Sequence, residues 1–242
     1  RHSFPTRRSS DLLIKTAWGW QRAQFECDLT WTVAQLCDAS RLSSRVVTQL
    51  IEPLCLSALN TPIHEASATV FLRVLHDALL GGRGSSDLLV PCVDLGALLP
   101  SACLQWLSAR GADIQLSTRA SAAQLEELLH TASPDNAVLL ACPAWEAARL
   151  TADIAPKWAY QCAELPHTAI ATVYLHCKDE DFKGLTHPMV ALHSNTEAPA
   201  QFVFDKGVLS EQHGLLAAVV SACQTERDEL TVQVHDQVRK QL

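Results

Sequence analysis

The chain has 242 residues, enough for one large domain or two modest ones around a real core. A hydrophobic fraction of 48% with 19% charged residues excludes intrinsic disorder. A net charge of -7 argues against a nucleic-acid partner, because phosphate binding needs clustered Lys and Arg.

Taken in chain order, residues 1–12 carry the one basic cluster, Arg1, Arg7 and Arg8, and show no hydrophobic periodicity. The stretch resembles translated sequencing-adapter sequence and is set aside as non-native. Residues 13–37 read as helical, with Trp18, Trp20, Phe25, Trp31 and Leu36 as large apolar side chains. Residues 45–59 follow, and Pro53 should kink this helix or start a new one. Asn60-Thr61-Pro62 is a break. Residues 66–80 form a strongly apolar helix, expected to be largely buried and to end at Gly81-Gly82. Residues 81–100 are loop-like. A short helix over 101–109 ends at Gly111.

The period then changes. Residues 113–118 alternate as a strand, 121–129 return to helix, and Ser133-Pro134-Asp135-Asn136 is a turn cluster. Residues 137–142 are a continuously apolar strand, expected to be buried on both faces, and Pro143 leads into a helix reaching Leu150. Beyond Pro166 the chain is strand-rich, with strands expected over 167–176, 201–204 and 215–220. Residues 225–242 make an amphipathic helix with Leu230, Val234 and Val238 on one face. The chain stops inside that pattern at Val238-Arg239-Lys240-Gln241-Leu242, which, with residues 1–12, leads to the expectation of an internal gene fragment. No apolar run approaches the ~20 residues of a membrane span. The order of elements suits an α+β or α/β arrangement, or two interleaved domains.

Read alone, the residues name no reaction. GxGxxG, Walker, HExxH and GxSxG motifs do not occur. Gly81-Gly82-Arg83-Gly84 is glycine-rich but follows a helix, whereas phosphate-cradling loops follow a strand. Nine scattered cysteines without CxxC read as reduced cytosolic thiols in a core, and no metal site is expected. His76 and Asp77 are neighbours on a helix, pointing about 100° apart, and are expected not to pair. The aromatics of the first helices serve equally as core or as the lining of a greasy channel.

At Glu52 the residues become specific. Glu52-Pro53-Leu54-Cys55-Leu56-Ser57-Ala58-Leu59-Asn60-Thr61-Pro62 resembles the "W/E-P-L-C-x-A-x-L-N-T-P" pattern of the squalene-associated FAD-dependent desaturases, understood as hydroxysqualene dehydroxylases. Ala66-Ser67-Ala68, Phe71-Leu72-Arg73-Val74-Leu75 and Asp77-Ala78-Leu79 continue the likeness. So do Ser86-Asp87-Leu88-Leu89-Val90-Pro91, Val93-Asp94-Leu95, Leu99-Pro100, Ile170-Ala171-Thr172-Val173-Tyr174-Leu175 and Phe204-Asp205-Lys206-Gly207. The order is colinear over about 13–242.

The resemblance implies a partial two-domain fold of the amine-oxidase-like flavoprotein superfamily. Residues 13–100 would be the helical part of the substrate domain and 101–150 the central segment of the FAD domain. Residues 151–223 would be the antiparallel-sheet part of the substrate domain, and 224–242 a helix leading back to the FAD domain. It implies an FAD-dependent enzyme that reductively removes the hydroxyl of hydroxysqualene, a C30 isoprenoid, to give squalene. Hydride would come from reduced flavin and leave a role for an acid at the departing oxygen. No side chain is assigned that role; His64 and Tyr174 are the candidates considered. The backbone of Ala120 is the position implied to meet the adenine of FAD. The family's pyrophosphate motif and its C-terminal Gly-Asp segment are not matched, so these 242 residues are expected neither to hold FAD nor to act alone. The implied setting is cytoplasmic, compatible with peripheral contact at the inner membrane. The alternatives are a phytoene-type carotenoid desaturase or other amine-oxidase-like flavoenzyme, and a non-enzymatic isoprenoid-binding module.

Overall fold

The computed structural model of the protein describes residues 7–178 and 182–242. Helix α1, Arg7–Arg22, comes first. Residues 1–6 of the segment set aside on sequence grounds lie outside the described residues, and residues 7–12 form the first turns of α1. The helix expected over 13–37 is broken where Gln24 and Phe25 take left-handed φ values of 52° and 59°. Thr32 restarts it as α2, Val33–Ala39, through a capping box: Thr32 Oγ1 accepts from the Gln35 N–H, and Gln35 Oε1 accepts from the Thr32 N–H. Helix α3, Ser44–Val46, passes through a wide π-turn, Val47–Ile51, into α4, Glu52–Leu59. Pro53 therefore stands in the first turn of α4, where a missing N–H is tolerated. Asn60 ends α4 with φ 49°. Helix α5, Ala68–Leu75, is capped by Ser67 and runs into a second π-turn, His76–Leu80.

Four helices of one to two turns or more follow: α6 (Leu95–Leu98), α7 (Pro100–Ser108), α8 (Ala122–His130) and α9 (Ala144–Thr151). Next come α10 (Pro156–Ala163) and the strands β1 (Ala171–His176), β2 (Met189–Ala191) and β3 (Phe202–Asp205). The chain closes with α11 (Lys206–Ser210), β4 (Leu215–Val220) and α12 (Arg227–Gln241). The strands form one antiparallel sheet in the order β1-β4-β3-β2. The protein is thus a mixed α+β chain. Among the described residues no helix is long and apolar enough to cross a membrane.

The chain divides into two compact units, one of Arg1–Leu98 with Thr168–Leu242, the other Leu99–His167. The first unit holds two hydrophobic cores. One gathers Val33, Leu36, Ile51, Cys55, Phe71 and Leu72 from α2 to α5. The other packs Val173, Val203, Leu216 and Ala218 of the sheet under Leu230, Val234 and Val238 of α12. The stripe read from the sequence of α12 is therefore the face that meets the sheet.

Two buried polar groups complete the second core. Asp205, 1% exposed, accepts hydrogen bonds from the backbone N–H groups of Leu185, Gly207 and Val208. It both caps α11 and ties down the chain after β1. Gln237 of α12, 3% exposed, donates to the carbonyls of Ala200 and His193 and accepts from the Ala200 N–H. All of its capacity to donate is used inside the protein, as burial requires.

The second unit overturns two expectations. Residues 113–118 are not a strand; Ser117 takes a left-handed φ of 54° within them. Residues 137–142 form no strand, and Leu139 is 87% exposed rather than buried on both faces. A strand of that apolar composition needs hydrogen-bonded neighbours on its edges and cover on its faces. Among the described residues this unit supplies only helices, α7 to α10. The cysteines also split. Cys37, Cys55 and Cys162 are buried as expected, whereas Cys92, Cys103 and Cys142 are exposed.

Candidate functional site

The register of the sheet sorts its side chains into two faces. Val173 and Leu175, with their partners Ala218 and Leu216, point into the core beneath α12. The alternate residues, Tyr174, Ala217, Val219, Phe202, Phe204 and Met189, share the opposite face. An antiparallel sheet with one solvated face ordinarily presents polar residues there. Here Thr172 and His176 of β1 are the polar members, and the residues of β2, β3 and β4 on that face are apolar. Phe202, Phe204, Val219 and Met189 are half-buried, yet none belongs to either hydrophobic core, and Tyr174 is 63% exposed.

Two adjoining clefts border this sheet. The larger, about 690 Å³, has Glu52, Pro53 and Leu56 of α4 on one side and Gln201 with Ser221-Ala222-Cys223 on the other. The smaller, about 500 Å³, runs beside β1, with Tyr174 and Thr172 on one side and Leu230 of α12 on the other. Cys223 and Thr225 line both, so the groove beside α4 and the cleft beside β1 meet at the turn after β4. A third cleft of about 830 Å³ opens between the sheet and the end of α12, lined by Leu175, Phe182, Leu185 and Val238.

The groove is held at one point by Asn60. Its Nδ2 donates to the Thr168 carbonyl at 3.0 Å, just before β1, and its Oδ1 accepts from the Ala222 N–H at 2.6 Å, just after β4. The same turn receives support from the sheet, since the Ser221 N–H donates to Gln201 Oε1 at 2.7 Å and the Cys223 N–H donates to the Ala169 carbonyl at 3.0 Å. Sequence reading identified Asn60 only as a break after α4. The left-handed preference of Asn was legible there, but the two partners, 108 and 162 residues away, were not.

The structure separates the two candidate acids. Tyr174 stands on the open sheet face and lines the cleft beside β1. His64 lines none of the clefts described; its side chain is 69% exposed and lies 3.5 Å from Glu65. His76 and Asp77, expected not to pair, do meet: Nδ1 and Oδ1 are 2.8 Å apart, and Asp77 also accepts from Arg73 at 2.7 Å. Backbone direction alone had argued against the pair, and side-chain rotation closes the gap. Asp77 is held below the usual carboxylate range by the Arg73 hydrogen bond and then by His76. Among the described residues no three metal-ligating side chains come together.

Ala120 lies in the second unit, immediately before Ser121, the N-cap of α8. Its carbonyl already accepts a hydrogen bond from Arg149 at 2.7 Å. Glu146 bridges Arg149 and Arg119, and those guanidinium groups, Arg119 first, hold its carboxyl below the usual range. Gly81-Gly82-Arg83-Gly84 follows a π-turn and leads into non-helical chain, so it offers no helix N-terminus to a phosphate. Among the described residues the glycine-rich loop thus lacks the phosphate-cradling geometry, while the Ala120 carbonyl, with one hydrogen bond from Arg149, keeps a second lone pair.

No protein-family model, curated protein or solved structure matches the chain. The fold and the groove thus define a mixed α+β protein whose antiparallel sheet carries apolar residues on both faces.

Proposed function

We propose that this chain forms the substrate walls of an FAD-dependent oxidoreductase of the hydroxysqualene dehydroxylase type, acting on a C30 isoprenoid. The observation that carries the reading is the apolar sheet face of Tyr174, Phe202, Phe204, Val219 and Met189 beside a groove walled by Glu52, Pro53 and Leu56. Those three α4 residues open the very motif on which the family resemblance rests. A long hydrocarbon is bound by burial of apolar area at roughly 25 cal/mol per Å², and that sheet face offers such area. Two clefts that meet at the edge of the sheet, the second reaching that face at Tyr174, suit an extended chain better than a closed, compact pocket would.

In this reading the sheet face and groove bind the chain of the substrate, orient its hydroxyl and exclude water. Tyr174 is the candidate to lend a hydrogen bond to the departing oxygen, because its phenol stands on the face that receives substrate. In this reading FAD would supply the hydride chemistry in the enzyme that contains this chain. Residues 137–142 support the same reading, as an apolar strand that needs a sheet its own unit lacks. A cytoplasmic enzyme in peripheral contact with a membrane would meet such a substrate in the bilayer.

The test supplies hydroxysqualene, FAD and a flavin reductant to the product of the reading frame that contains this chain. Squalene is the expected product, and its absence rejects the reading. Desaturation of phytoene instead would favour the carotenoid-desaturase alternative. Saturable isoprenoid binding by a product that never takes up flavin would favour the non-enzymatic module.

A further inference from the structure

We propose that Asn60 is a latch that sets the width of the groove between α4 and the turn after β4. One wall of that groove is α4, which Asn60 terminates; the other is Ser221-Ala222-Cys223. The Asn60 side chain spans them, accepting from the Ala222 N–H at 2.6 Å and donating to the Thr168 carbonyl at 3.0 Å. It therefore ties the end of a helix from one hydrophobic core to one end of the β1–β4 pair from the other, where the start of β1 lies beside the end of β4. A single amide does this because it carries a donor and an acceptor on one rigid plane. Both residues of the tighter bond, Asn60 and Ala222, have left-handed backbone, with φ of 49° each, so the contact joins two turns rather than two regular elements. The bonds of Ser221 and Cys223 tie the turn after β4 to the sheet, whereas the Asn60 bond ties it to α4, and a contact of one side chain opens more readily than a ladder of backbone bonds. Release of Asn60 opens the α4 side of the groove while both cores stay packed. The latch stands on this geometry, whatever ligand fills the groove.

Asn60→Gly tests it in the full chain, because glycine keeps the left-handed backbone at no steric cost and removes both side-chain bonds. Two rates are read: hydrogen exchange at the Ala222 amide, and alkylation of Cys223 mapped by peptide. Each is expected to rise about tenfold, the change that ~1.4 kcal/mol of lost restraint produces, while exchange within β3 and α12 stays at the wild-type rate. Unchanged rates at both positions overturn the latch. Asn60→Asp is the second arm. At neutral pH its carboxylate still accepts from Ala222 but offers nothing to the Thr168 carbonyl; once protonated, its O–H replaces the amide donor. The ratio of variant to wild-type exchange at Ala222 is expected to fall toward one as pH drops through the aspartate range. Glu52 on α4, His64 and Glu65 after it, His176 on β1, and Cys223 and Glu226 after β4 are common to both proteins, so the ratio to wild type controls for them. A ratio that is high and independent of pH, or equal to one throughout, rejects the proposal even if the glycine variant fails to fold.

Discussion

The two compact units use apolar residues in opposite ways. In the first, Phe71, Leu72, Val33, Val203 and Val234 are all below 2% exposed, and two cores close around them. In the second, Leu139 is 87% exposed, Leu116 68% and Trp106 56%, while burial is confined to a few residues of α8, α9 and α10, among them Leu125, Ala147 and Leu150. Trp106 instead lies under the Arg110 guanidinium, 3.7 Å from its ring centroid, an arrangement suited to a wet surface. The difference is not one of composition but of partners. Helices can close a core with their own neighbours, whereas an apolar strand is satisfied only by other strands. Contiguous exposed apolar surface of this kind marks a contact surface or an aggregation hazard.

Truncating one large side chain in each unit should expose the contrast most sharply. Phe71→Ala removes a fully buried ring and should cost about 3–5 kcal/mol in urea unfolding. Trp106→Ala should cost no more than about 1 kcal/mol; equal losses would mean that the second unit is as tightly packed as the first.

Asp205→Ala comes next. It leaves the N–H groups of Leu185, Gly207 and Val208 without their acceptor, a loss of about 1–3 kcal/mol for each group that water cannot reach. A lowered Tm with unchanged exchange rates in α8 and α9 would place the damage in the first unit alone.

Thiol chemistry should divide buried from exposed side chains and cross the unit boundary, since Cys92 of the first unit is exposed and Cys162 of the second is buried. Burial, reinforced by Asp38 for Cys37 and by Cys37 and Glu52 for Cys55, pushes both thiols up to about 11. At pH 8 they should react with iodoacetamide far more slowly than exposed Cys92, Cys103 and Cys142. Because the folded state holds these protons more tightly than an ordinary thiol at 9.0, their contribution is complete below pH 9. Stability should then decline as pH rises from 9 toward 11, where the unfolded chain ionises first. A flat profile over that window would contradict their burial.

The smallest effect on stability is expected from Leu139→Glu, within about 0.5 kcal/mol at so exposed a position. Self-association measured by sedimentation should nevertheless fall, because the change breaks the apolar run of residues 137–142. An unchanged sedimentation profile would acquit that segment.

Local signals made much of the helical architecture legible. Pro53 marked the start of α4, Ser121 and Gln124 hold the capping box of α8, and the spacing of Leu230, Val234 and Val238 identified the buried stripe of α12. Each is a property of one or two turns, where residues three or four apart touch. β1 and β4 were likewise visible as β-rich runs, while three-residue β2 was too short to show a period. Strand pairing was a different matter. Residues 137–142 have the composition of a core strand and the surroundings of an exposed one.

For the candidate site, the sequence by itself determined the motif residues Glu52 to Pro62 and the presence of Tyr174, and with them the family resemblance. Only the tertiary structure decided that the sheet face opposite α12 carries Phe202, Phe204, Val219 and Met189, that Tyr174 reaches the cleft beside β1 while His64 does not, and that Asn60 joins α4 to the end of the β1–β4 pair where β1 starts and β4 stops. Helix starts, caps and stripes are written in neighbours along the chain. The partners of a strand, or of a side chain that bridges 162 residues, depend on which distant backbone groups folding brings within hydrogen-bond range.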